Sequence, residues 1–528
     1  MKLEKFRKSN KFILICVLLL CVQCILLIFC NLTLANRNID RDSSEVFVHA
    51  IEMWRNKQIL IPDWVYTTTL ELDCALLLAA PLFGVTGDIY LSFALSNICF
   101  AALWLWVLYR LLQGRGKLCF LLAANLILIP YTIGQLDYYN MLFFNGGQYV
   151  VKTLLPLMLI VLLTNAKQNC TQERNAYASK QQLLLLTLYG ILLLINTFSS
   201  GIYVVVCGLM PVLAGYFVYR WYHREKFNPY FYVYAIGTLL ISFVGYGLNV
   251  LLRINAKGNQ MTLCPVTEIA ENISANFWGL FELFGGAAYE SVRVMSFRGI
   301  SILVRMGFVD LLLGFGIIAF GKFIKRKTDI GESMLLTVFI WNTFVISICE
   351  TRYGATSEYR YHLMGMIPLV CVAVIEFSRW YESSQERREK AVMECCCTIL
   401  ILVMGVTAYR KVLMNDTQTG KYREICDYAA RQEVDTVYFL RDTGAANICR
   451  LLDYKNGDIV YVVADHTGES EYTVYVHDYY AKYNSQQVKL ENAMLVMDHD
   501  RFGDTEDLEL FDHTYHRIQT IDNYSIYR

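Results

Sequence analysis

The segment after the first long apolar stretch is rich in residues that could carry chemistry. Between positions 40 and 73 it holds Asp40, Asp42, Glu45, His49, Glu52, Asp63, Glu71 and Asp73. A surface carboxylate can act as a general base, and two carboxylates two positions apart, as in Asp40-x-Asp42, can hold a divalent cation. The apolar spacing from Ser43 to Trp54 predicts a short amphipathic helix, which Asp42 or Ser43 could cap at its N-terminus.

Long apolar runs dominate the first 409 residues of the chain and must position these residues. Hydrophobic residues account for 55% of the 528 and charged residues for only 18%, against roughly 25% in soluble domains. A membrane-spanning helix needs about 20 mostly apolar residues. Runs that reach or approach this length predict eleven transmembrane helices, at 12–34, 89–109, 118–136, 149–165, 183–198, 202–219, 229–251, 300–320, 332–348, 361–378 and 391–409. A shorter apolar run at 74–87 predicts an interfacial or re-entrant helix.

Basic residues indicate the orientation, because short loops rich in Lys and Arg stay on the cytoplasmic side. The N-terminus is basic, and so is every second loop, at 110–117, 167–180, 220–226, 322–327 and 379–390. The alternation predicts a cytoplasmic N-terminus and, with an odd number of spans, an extracytoplasmic C-terminus. Nucleic-acid-binding proteins usually show a basic face without long apolar runs, so this composition excludes nucleic acid as a partner.

Hydropathy falls sharply after Tyr409, which predicts a membrane domain at 1–409 and an extracytoplasmic domain at 410–528. Helical spacing alternates there with strand-like runs, at 418–431, 434–440, 443–453, 458–463, 472–477 and 493–498. The alternation predicts a small α/β domain. Its histidines favour a solvated surface over a metal cluster, and Cys426 and Cys449 could form a disulfide in an oxidising compartment.

The acidic segment also matches the spacing of a known family. Asp42 follows the first span, Glu52-Met53 comes ten residues later, Pro62 follows after another ten, and LLLAAPLFG lies at 76–84. This pattern resembles the GT-C superfamily of polyprenyl-phosphate-dependent glycosyltransferases, in particular the protein mannosyltransferase and aminoarabinose transferase type. The layout of a first helix, an acidic outer loop, many further helices and an outer α/β domain is similar as well.

The resemblance implies roles for residues of the first and second outer loops, at 35–73 and 134–148. Asp42 would be the catalytic base, and Glu52 would bind substrate. Members of the family often carry a second acid at the outer mouth of a later span. Asn140 matches that position by spacing, while Asp137 lies three residues earlier. The second acid's role would therefore pass to Asp137 or be lost.

A later loop would complete the substrate site with cations. The segment 350–369 resembles the family's approach to a late helix, so Arg352, Arg360 and His362 would face the substrate. A departing phosphate needs a cation to balance its charge, and Arg360 is the first candidate. Further basic residues predicted on the outer side are Lys152, Arg253, Arg293, Arg298 and Arg305.

The resemblance implies a transferase that moves a hexosyl or pentosyl group from a polyprenyl-phosphate donor to a hydroxyl of a glycan, lipid or protein acceptor, with inversion. Membrane lipids are the other implied partners. The family type does not generally need a metal or other cofactor, although Asp40-x-Asp42 leaves a divalent cation open. Two other classes also stay open, namely a lipid-linked glycan transporter or flippase and a cell-envelope scaffold whose outer domain binds a partner.

Overall fold

The structure, a computed structural model, describes residues 2–61, 64, 66, 69–131, 137–168, 176–252, 262–288, 291–353, 356–414, 419–467, 471–474, 492–510 and 513–528. The chain divides into two compact units. The first unit contains Met1–Phe29, Thr68–Cys74 and Asn97–Leu413. The second contains Cys30–Thr67, Ala75–Ser96 and Met414–Arg528.

Helices account for most of the chain before residue 415. In chain order they are α1 (Lys2–Thr33), α2 (Arg41–Asn56), α3 (Leu76–Thr86), α4 (Ile89–Leu112), α5 (Lys117–Ile127), α6 (Asp137–Leu142), α7 (Val150–Gln168), α8 (Ala176–Ser200), α9 (Met210–Tyr222), α10 (Pro229–Leu251), α11 (Ile269–Leu283), α12 (Phe297–Ile324), α13 (Ile330–Ile348), α14 (Tyr359–Ser383) and α15 (Arg387–Met414). A two-stranded antiparallel hairpin, β1 (Arg352–Tyr353) and β2 (Thr356–Ser357), precedes α14.

The helices confirm the predicted class of multi-pass α-helical membrane protein. Among the described residues, nine helices are long and apolar enough to cross a bilayer, and they coincide with nine of the predicted spans. The other two predicted spans correspond to the shorter apolar helices α5 and α7, and the run at 74–87 forms the short helix α3. Such segments are helical because a helix satisfies its own backbone hydrogen bonds in lipid.

Small and polar side chains let the apolar helices pack closely. Gly215 of α9 faces α13, where an added Cβ would lie only 3.0 Å from the Cα of Met334. A π turn at Val205–Leu209 precedes α9, and Asn342 of α13 donates from Nδ2 to the carbonyl oxygen of Cys207 (2.6 Å). The amide therefore supplies a partner where the widened turn disturbs the helical pattern.

Charged residues at the predicted cytoplasmic ends of the helices are paired. Arg115 donates to both carboxylate oxygens of Asp329 (2.5 and 3.2 Å). Arg379 of α14 lies 2.6 Å from Glu332 of α13 and 2.6 Å from Glu376, both of which are almost fully buried. Because unpaired buried charges are very costly, these pairs are needed to hold the ends of α13 and α14 together.

The C-terminal part is a mixed sheet flanked by helices. Its elements are α16 (Gly420–Arg431), β3 (Thr436–Leu440), α17 (Thr443–Leu452), β4 (Val460–Thr467), β5 (Glu471–Val474), β6 (Ala493–Asp498), α18 (His499–Phe502), β7 (Asp507–Leu510), β8 (His513–Ile521) and β9 (Tyr524–Tyr527). The strand order is β5-β4-β3-β6-β9-β8-β7. Strands β4, β3 and β6 are parallel, and the outer pairs are antiparallel.

This sheet confirms the predicted α/β class and adds three strands that the pattern did not indicate. Strand β3 is buried on both faces, with Val437 and Phe439 in one core and Tyr438 in the other. In β8, by contrast, most described side chains are exposed, so its sequence lacks the apolar signal of a buried strand. Cys426 and Cys449 lie in the first core as free thiols.

Helices α2 and α3 belong to the same compact unit as the sheet. Helix α2 packs against both α3 and α17. Phe47 of α2 stacks on Phe93 (centroids 3.8 Å apart), and Trp54 occupies the space beside Gly84, where an added Cβ would collide with its ring at 2.1 Å. Arg55 donates to the carbonyl oxygen of Tyr454 (2.8 Å). These contacts hold the acid-rich helix in place.

Candidate active site

Asp42 lies partly buried in the first turn of α2, and Asp40 caps that helix. Asp40 Oδ1 accepts a hydrogen bond from the backbone N–H of Ser43 (2.7 Å), and the helix begins at Arg41. The prediction that Asp42 or Ser43 caps the helix was therefore wrong, because polar residues fill the first turn and hide its start from the apolar pattern.

Glu52, almost three helical turns after Asp42 in α2, forms its contacts inside the protein. Its side chain is almost fully buried, and Oε1 lies 3.2 Å from Nη1 of Arg55. Its other oxygen accepts from the amide of Asn56 (3.3 Å). Since Arg55 also binds the carbonyl of Tyr454, Glu52 is part of the link between the end of α2 and the C-terminal sheet domain.

Asp73 is a buried carboxylate that accepts hydrogen bonds from three side chains in the first unit. Its side chain is 1% exposed. Oδ1 accepts from the hydroxyl of Ser199 (2.8 Å), and Oδ2 accepts from the amide of Asn196 (2.6 Å) and the hydroxyl of Ser200 (2.8 Å). All three donors lie at the end of α8. The carboxylate therefore ties the segment before α3 to the end of a long apolar helix.

Lys152, in the first turn of α7, completes this cluster. Its side chain is 9% exposed, and Nζ lies 3.5 Å from Oδ2 of Asp73. The ring centroid of Tyr149 lies 4.9 Å from the same nitrogen. A buried ammonium is tolerated only beside an opposite charge, which Asp73 supplies. Lys152 is thus held in a defined position by a carboxylate and an aromatic face.

Arg360 brings a second cation close to this cluster. Its charge interacts with the phenol of Tyr149, which also interacts with Asp73. Arg360 forms an ion pair with Glu358 and lies 5.5 Å from the ring of Tyr361. We call Lys152, Arg360 and Tyr149 the cation cluster. Lys and Arg side chains commonly bind phosphate groups, and here each is also paired with a carboxylate, Lys152 with Asp73 and Arg360 with Glu358.

The remaining predicted residues of the late loop lie in different surroundings. Arg352 in β1 forms ion pairs with Glu271 (2.7 Å) and Glu268, which flank the start of α11. His362 is 3% exposed within the first turn of α14. Among the described interactions, Arg360 therefore belongs to the cation cluster. The guanidinium of Arg352 pairs with acids near the start of α11 instead.

The candidate second acid position falls in α6. Asn140 is buried, and its side-chain oxygen accepts from the amide of Asn145 (3.3 Å). Asp137 begins the same helix, and its side chain lies outside the described residues. The choice between these two positions stays a prediction.

The other basic residues predicted on the outer side divide into three groups. Arg305 is fully buried and donates to the carbonyl oxygen of Phe284 (3.0 Å) and to Thr407 (2.9 Å), so its hydrogen bonds join helices. Arg293 and Arg298 are exposed. Arg253 lies outside the described residues. Arg305 is therefore removed from the candidates for binding a phosphate.

Among the described residues, no group of three or more His, Cys, Asp or Glu side chains is arranged to hold a metal ion. In Asp40-x-Asp42, the carboxylate of Asp40 accepts the capping hydrogen bond of α2. His516 of β8 lies 2.7 Å from Asp507, and His499 contacts Ser525. The side chains of His466, His477 and His513 lie outside the described residues.

The pairing of Asp73 with Lys152 was not predicted, although both residues were noted separately. A signal for it exists in the sequence. The stretch Asn196-Thr-Phe-Ser-Ser ends one apolar run with polar residues, and Lys152 stands just inside another. Polar groups at the ends of spans need partners, so such residues are candidates for one shared cluster. Which of them meet depends on helix packing.

No family model and no curated protein matches the chain. Solved structures do match it. ArnT from Cupriavidus metallidurans in the apo state matches with a TM-score of 0.57 at 10% identity, covering 97% of both chains. The same protein bound to undecaprenyl phosphate gives a TM-score of 0.55 at 11% identity, again over 97% of both chains.

A second enzyme shows the same architecture. The oligosaccharyltransferase of Archaeoglobus fulgidus, in a complex with zinc and sulfate, matches with a TM-score of 0.54 at 10% identity, covering 91% of this chain and 68% of that one. ArnT, an aminoarabinose transferase, and the oligosaccharyltransferase are both GT-C glycosyltransferases. The predicted resemblance is confirmed at the level of the fold: the chain has the fold of the GT-C membrane glycosyltransferases.

Proposed function

We propose that the protein is a membrane glycosyltransferase that moves a sugar from a polyprenyl-phosphate donor to an acceptor hydroxyl. The fold shared with ArnT over 97% of the chain, including ArnT bound to undecaprenyl phosphate, is the observation that carries the proposal. The cation cluster supports it, because a phosphate head group requires cationic donors. The reaction would occur on the extracytoplasmic side, with the N-terminus in the cytoplasm, as the basic loops predict.

Lys152 and Arg360 would bind the phosphate of the donor. As the sugar is transferred, the phosphate oxygen that leaves it gains negative charge, which nearby cations stabilise. One cation about 4 Å away contributes roughly 4 kcal/mol at an effective dielectric constant of 20. An ammonium has three N–H donors, so Lys152 can contact both Asp73 and a phosphate. Asp73 would act as a positioning residue for Lys152.

Asp42 would act as the general base. The acceptor hydroxyl attacks the anomeric carbon, its proton passes to the Asp42 carboxylate, and the bond from that carbon to the phosphate oxygen breaks. The products are the glycosylated acceptor and the polyprenyl phosphate. Attack opposite the phosphate inverts the anomeric centre. Glu52 would contribute by holding α2 in place, through its pair with Arg55.

The proposal is tested by Asp42→Asn in membranes supplied with radiolabelled polyprenyl-phosphate sugars. General-base catalysis contributes roughly 10²–10⁴-fold, so transfer should fall by at least a hundredfold while the protein keeps its expression level and melting temperature. Asp427→Asn is the matched control, since Asp427 is an exposed acid of α16. Normal transfer by Asp42→Asn would remove Asp42 from the mechanism.

A second measurement separates transfer from transport. Proteoliposomes with the purified chain should release polyprenyl phosphate in proportion to the sugar transferred. Movement of the lipid-linked sugar across the bilayer with no transfer product would instead identify a flippase. The absence of both transfer and lipid movement by the full-length chain would instead favour a scaffold.

A further inference from the structure

A wide polar cavity lies within the second unit, next to the start of α2. It has a volume of about 960 Å³. The start of α2 contributes Asp40 and Arg41, and α16 contributes Lys421, Tyr422 and Glu424. The first turn of α17, Arg501 of α18 and the turn at Asp522 close the other sides. Small-ligand sites usually measure roughly 300–1,000 Å³, so this cavity has room for an extended polar ligand.

Several of the lining groups are held in fixed positions. Asp442 caps α17 by accepting from the backbone N–H of Ala445 (3.0 Å), and its second oxygen accepts from the hydroxyl of Tyr524 (2.7 Å). Lys421 donates to the side chain of Asn523 (2.7 Å) and lies 5.4 Å from the ring centroid of Tyr422. A cavity with preset side chains loses little conformational entropy when a ligand binds.

The start of α17 also packs closely against the start of α2 at one side of the cavity. Gly444, in the first turn of α17, lies against Arg41, where an added Cβ would be 3.2 Å from Cβ and 3.3 Å from Cγ of that side chain. The glycine lets the first residue of α2 lie directly on α17. Arg41 itself is exposed. The next residue along α2 is Asp42, the proposed base. A ligand in the cavity would therefore lie next to the helix turn that contains Asp42.

The charges around the cavity indicate which chemistry it fits. Both signs are present, with the cations Arg41, Lys421 and Arg501 facing the acids Asp40, Glu424, Asp442 and Asp522. Carboxylates accept hydrogen bonds from hydroxyls, and ammonium and guanidinium groups donate to ether and hydroxyl oxygens. The mixture disfavours an apolar ligand, which would leave these charges desolvated, and also a polyanion, which the acids would repel.

We propose that this cavity is the acceptor site and that the acceptor is a hydroxyl-rich saccharide. The inference rests on the proposed transfer reaction, to which it adds the substrate class. We call the surface formed by Arg41, Lys421, Tyr422, Glu424, Asp442 and Arg501 the acceptor cavity. The charged groups of this surface would bind the hydroxyls of the saccharide, with Tyr422 beside them.

The test measures binding separately from transfer. The full-length protein in detergent is applied to an array that carries neutral, amino and acidic oligosaccharides, together with peptide spots and polyprenyl-phosphate spots. We expect binding to at least one neutral or amino oligosaccharide. The double variant Glu424→Gln/Arg501→Gln removes two exposed charges of the cavity, one of each sign, and should weaken that binding at least tenfold.

Asp427→Asn/Arg431→Gln is the matched control, because both residues are exposed on α16 and neither lines the cavity. It should bind as the unchanged protein does. Equal binding by the cavity double variant, the absence of any saccharide binding, or binding to peptide spots alone would each overturn the assignment. Binding to the polyprenyl-phosphate spots measures the donor site alone. Failure of the proposed function can therefore be distinguished from failure of the acceptor site.

Discussion

At the scale of single residues, the pairing of Asp73 with Lys152 has the greatest consequence. The side chain of Lys152 is 9% exposed, and the carboxylate of Asp73, 3.5 Å away, offsets the cost of burying its charge. The carboxylate also accepts from Asn196, Ser199 and Ser200. One buried acid thus satisfies three neutral donors and balances the cation that we assign to the donor phosphate.

Replacing Asp73 should therefore destabilise the protein. Asp73→Ala leaves a buried ammonium and three donors without their acceptor, and removing one partner of a buried pair costs roughly 3–5 kcal/mol. Thermal unfolding in detergent should show a clearly lower midpoint. The control is Glu71→Gln, a less buried acid two residues away. A midpoint for Asp73→Ala equal to that of the unchanged protein would contradict this account.

Replacing Lys152 should act on the donor. Lys152→Gln keeps a hydrogen-bond donor for Asp73 but removes the positive charge. We expect the KM for the polyprenyl-phosphate sugar to rise on the order of 10–100-fold, since each tenfold change corresponds to about 1.4 kcal/mol. The measurement is steady-state transfer at varied donor concentration. Lys411→Gln, an exposed lysine near the end of α15, serves as the control and should leave the KM unchanged.

At the scale of elements, the residue that caps α13 also forms an ion pair with a neighbouring segment. Asp329 caps α13 by accepting from the backbone N–H of Glu332 (2.9 Å), and it pairs with Arg115. Desolvation by itself would raise the pKa of the Asp329 carboxyl. The guanidinium of Arg115, its hydrogen bond and the backbone N–H outweigh that effect and hold the pKa below its ordinary value of 3.8.

This lowered pKa leads to a prediction about pH. A carboxyl group whose folded pKa is depressed stabilises the fold above its unfolded pKa, and the contribution disappears as the pH falls through the folded pKa. Asp329→Asn keeps a cap but loses the charge, so its melting temperature should be lower than that of the unchanged protein at pH 7. The difference should shrink below about pH 4. Glu386→Gln, an exposed acid before α15, should show no such dependence. A difference that stays constant down to pH 3 would refute the assignment.

At the scale of the whole molecule, the second unit joins distant parts of the chain. Every residue from Thr443 to Leu451 in α17 is buried, because the helix packs against β3 and β4 and also against α2. The segment that contains α2 therefore completes the fold of the C-terminal segment. The hydropathy pattern grouped the α2 segment with the membrane domain at 1–409, since sequence proximity carries no information about such contacts.

A fragment of residues 414–528 should accordingly fold poorly by itself. Without α2, the apolar surface of α17 meets water, and exposed apolar patches favour aggregation. We expect the fragment to aggregate in size-exclusion chromatography. Adding a peptide that spans residues 39–57 should restore a monomeric complex with native-like circular dichroism. A fragment that is a stable monomer without the peptide would show that α2 is dispensable for this unit.

Much of the architecture could be predicted from local patterns. The apolar runs indicated the spans, because a helix in lipid needs apolar length, which the sequence displays directly. The buried parallel strands β3, β4 and β6 were also evident, since a fully buried strand reads as a continuous apolar run. Strands β7, at the edge of the sheet, and β8, beside it, were missed because most of their described side chains are exposed and they lack a continuous apolar run.

The candidate site likewise combines features that the sequence predicts with features that only the structure shows. The sequence by itself determined the membrane class, the α/β character of the C-terminal part and the acid-rich helix with Asp42, all of which depend on composition and short-range periodicity. The tertiary structure decided that Asp40 caps α2, that Arg305 joins helices and that Asp73 holds Lys152. The last two of these outcomes depend on which helix faces meet, a property of long-range packing. Thr407 lies 102 positions from Arg305, and Lys152 lies 79 positions from Asp73, so neither contact leaves a local pattern in the sequence.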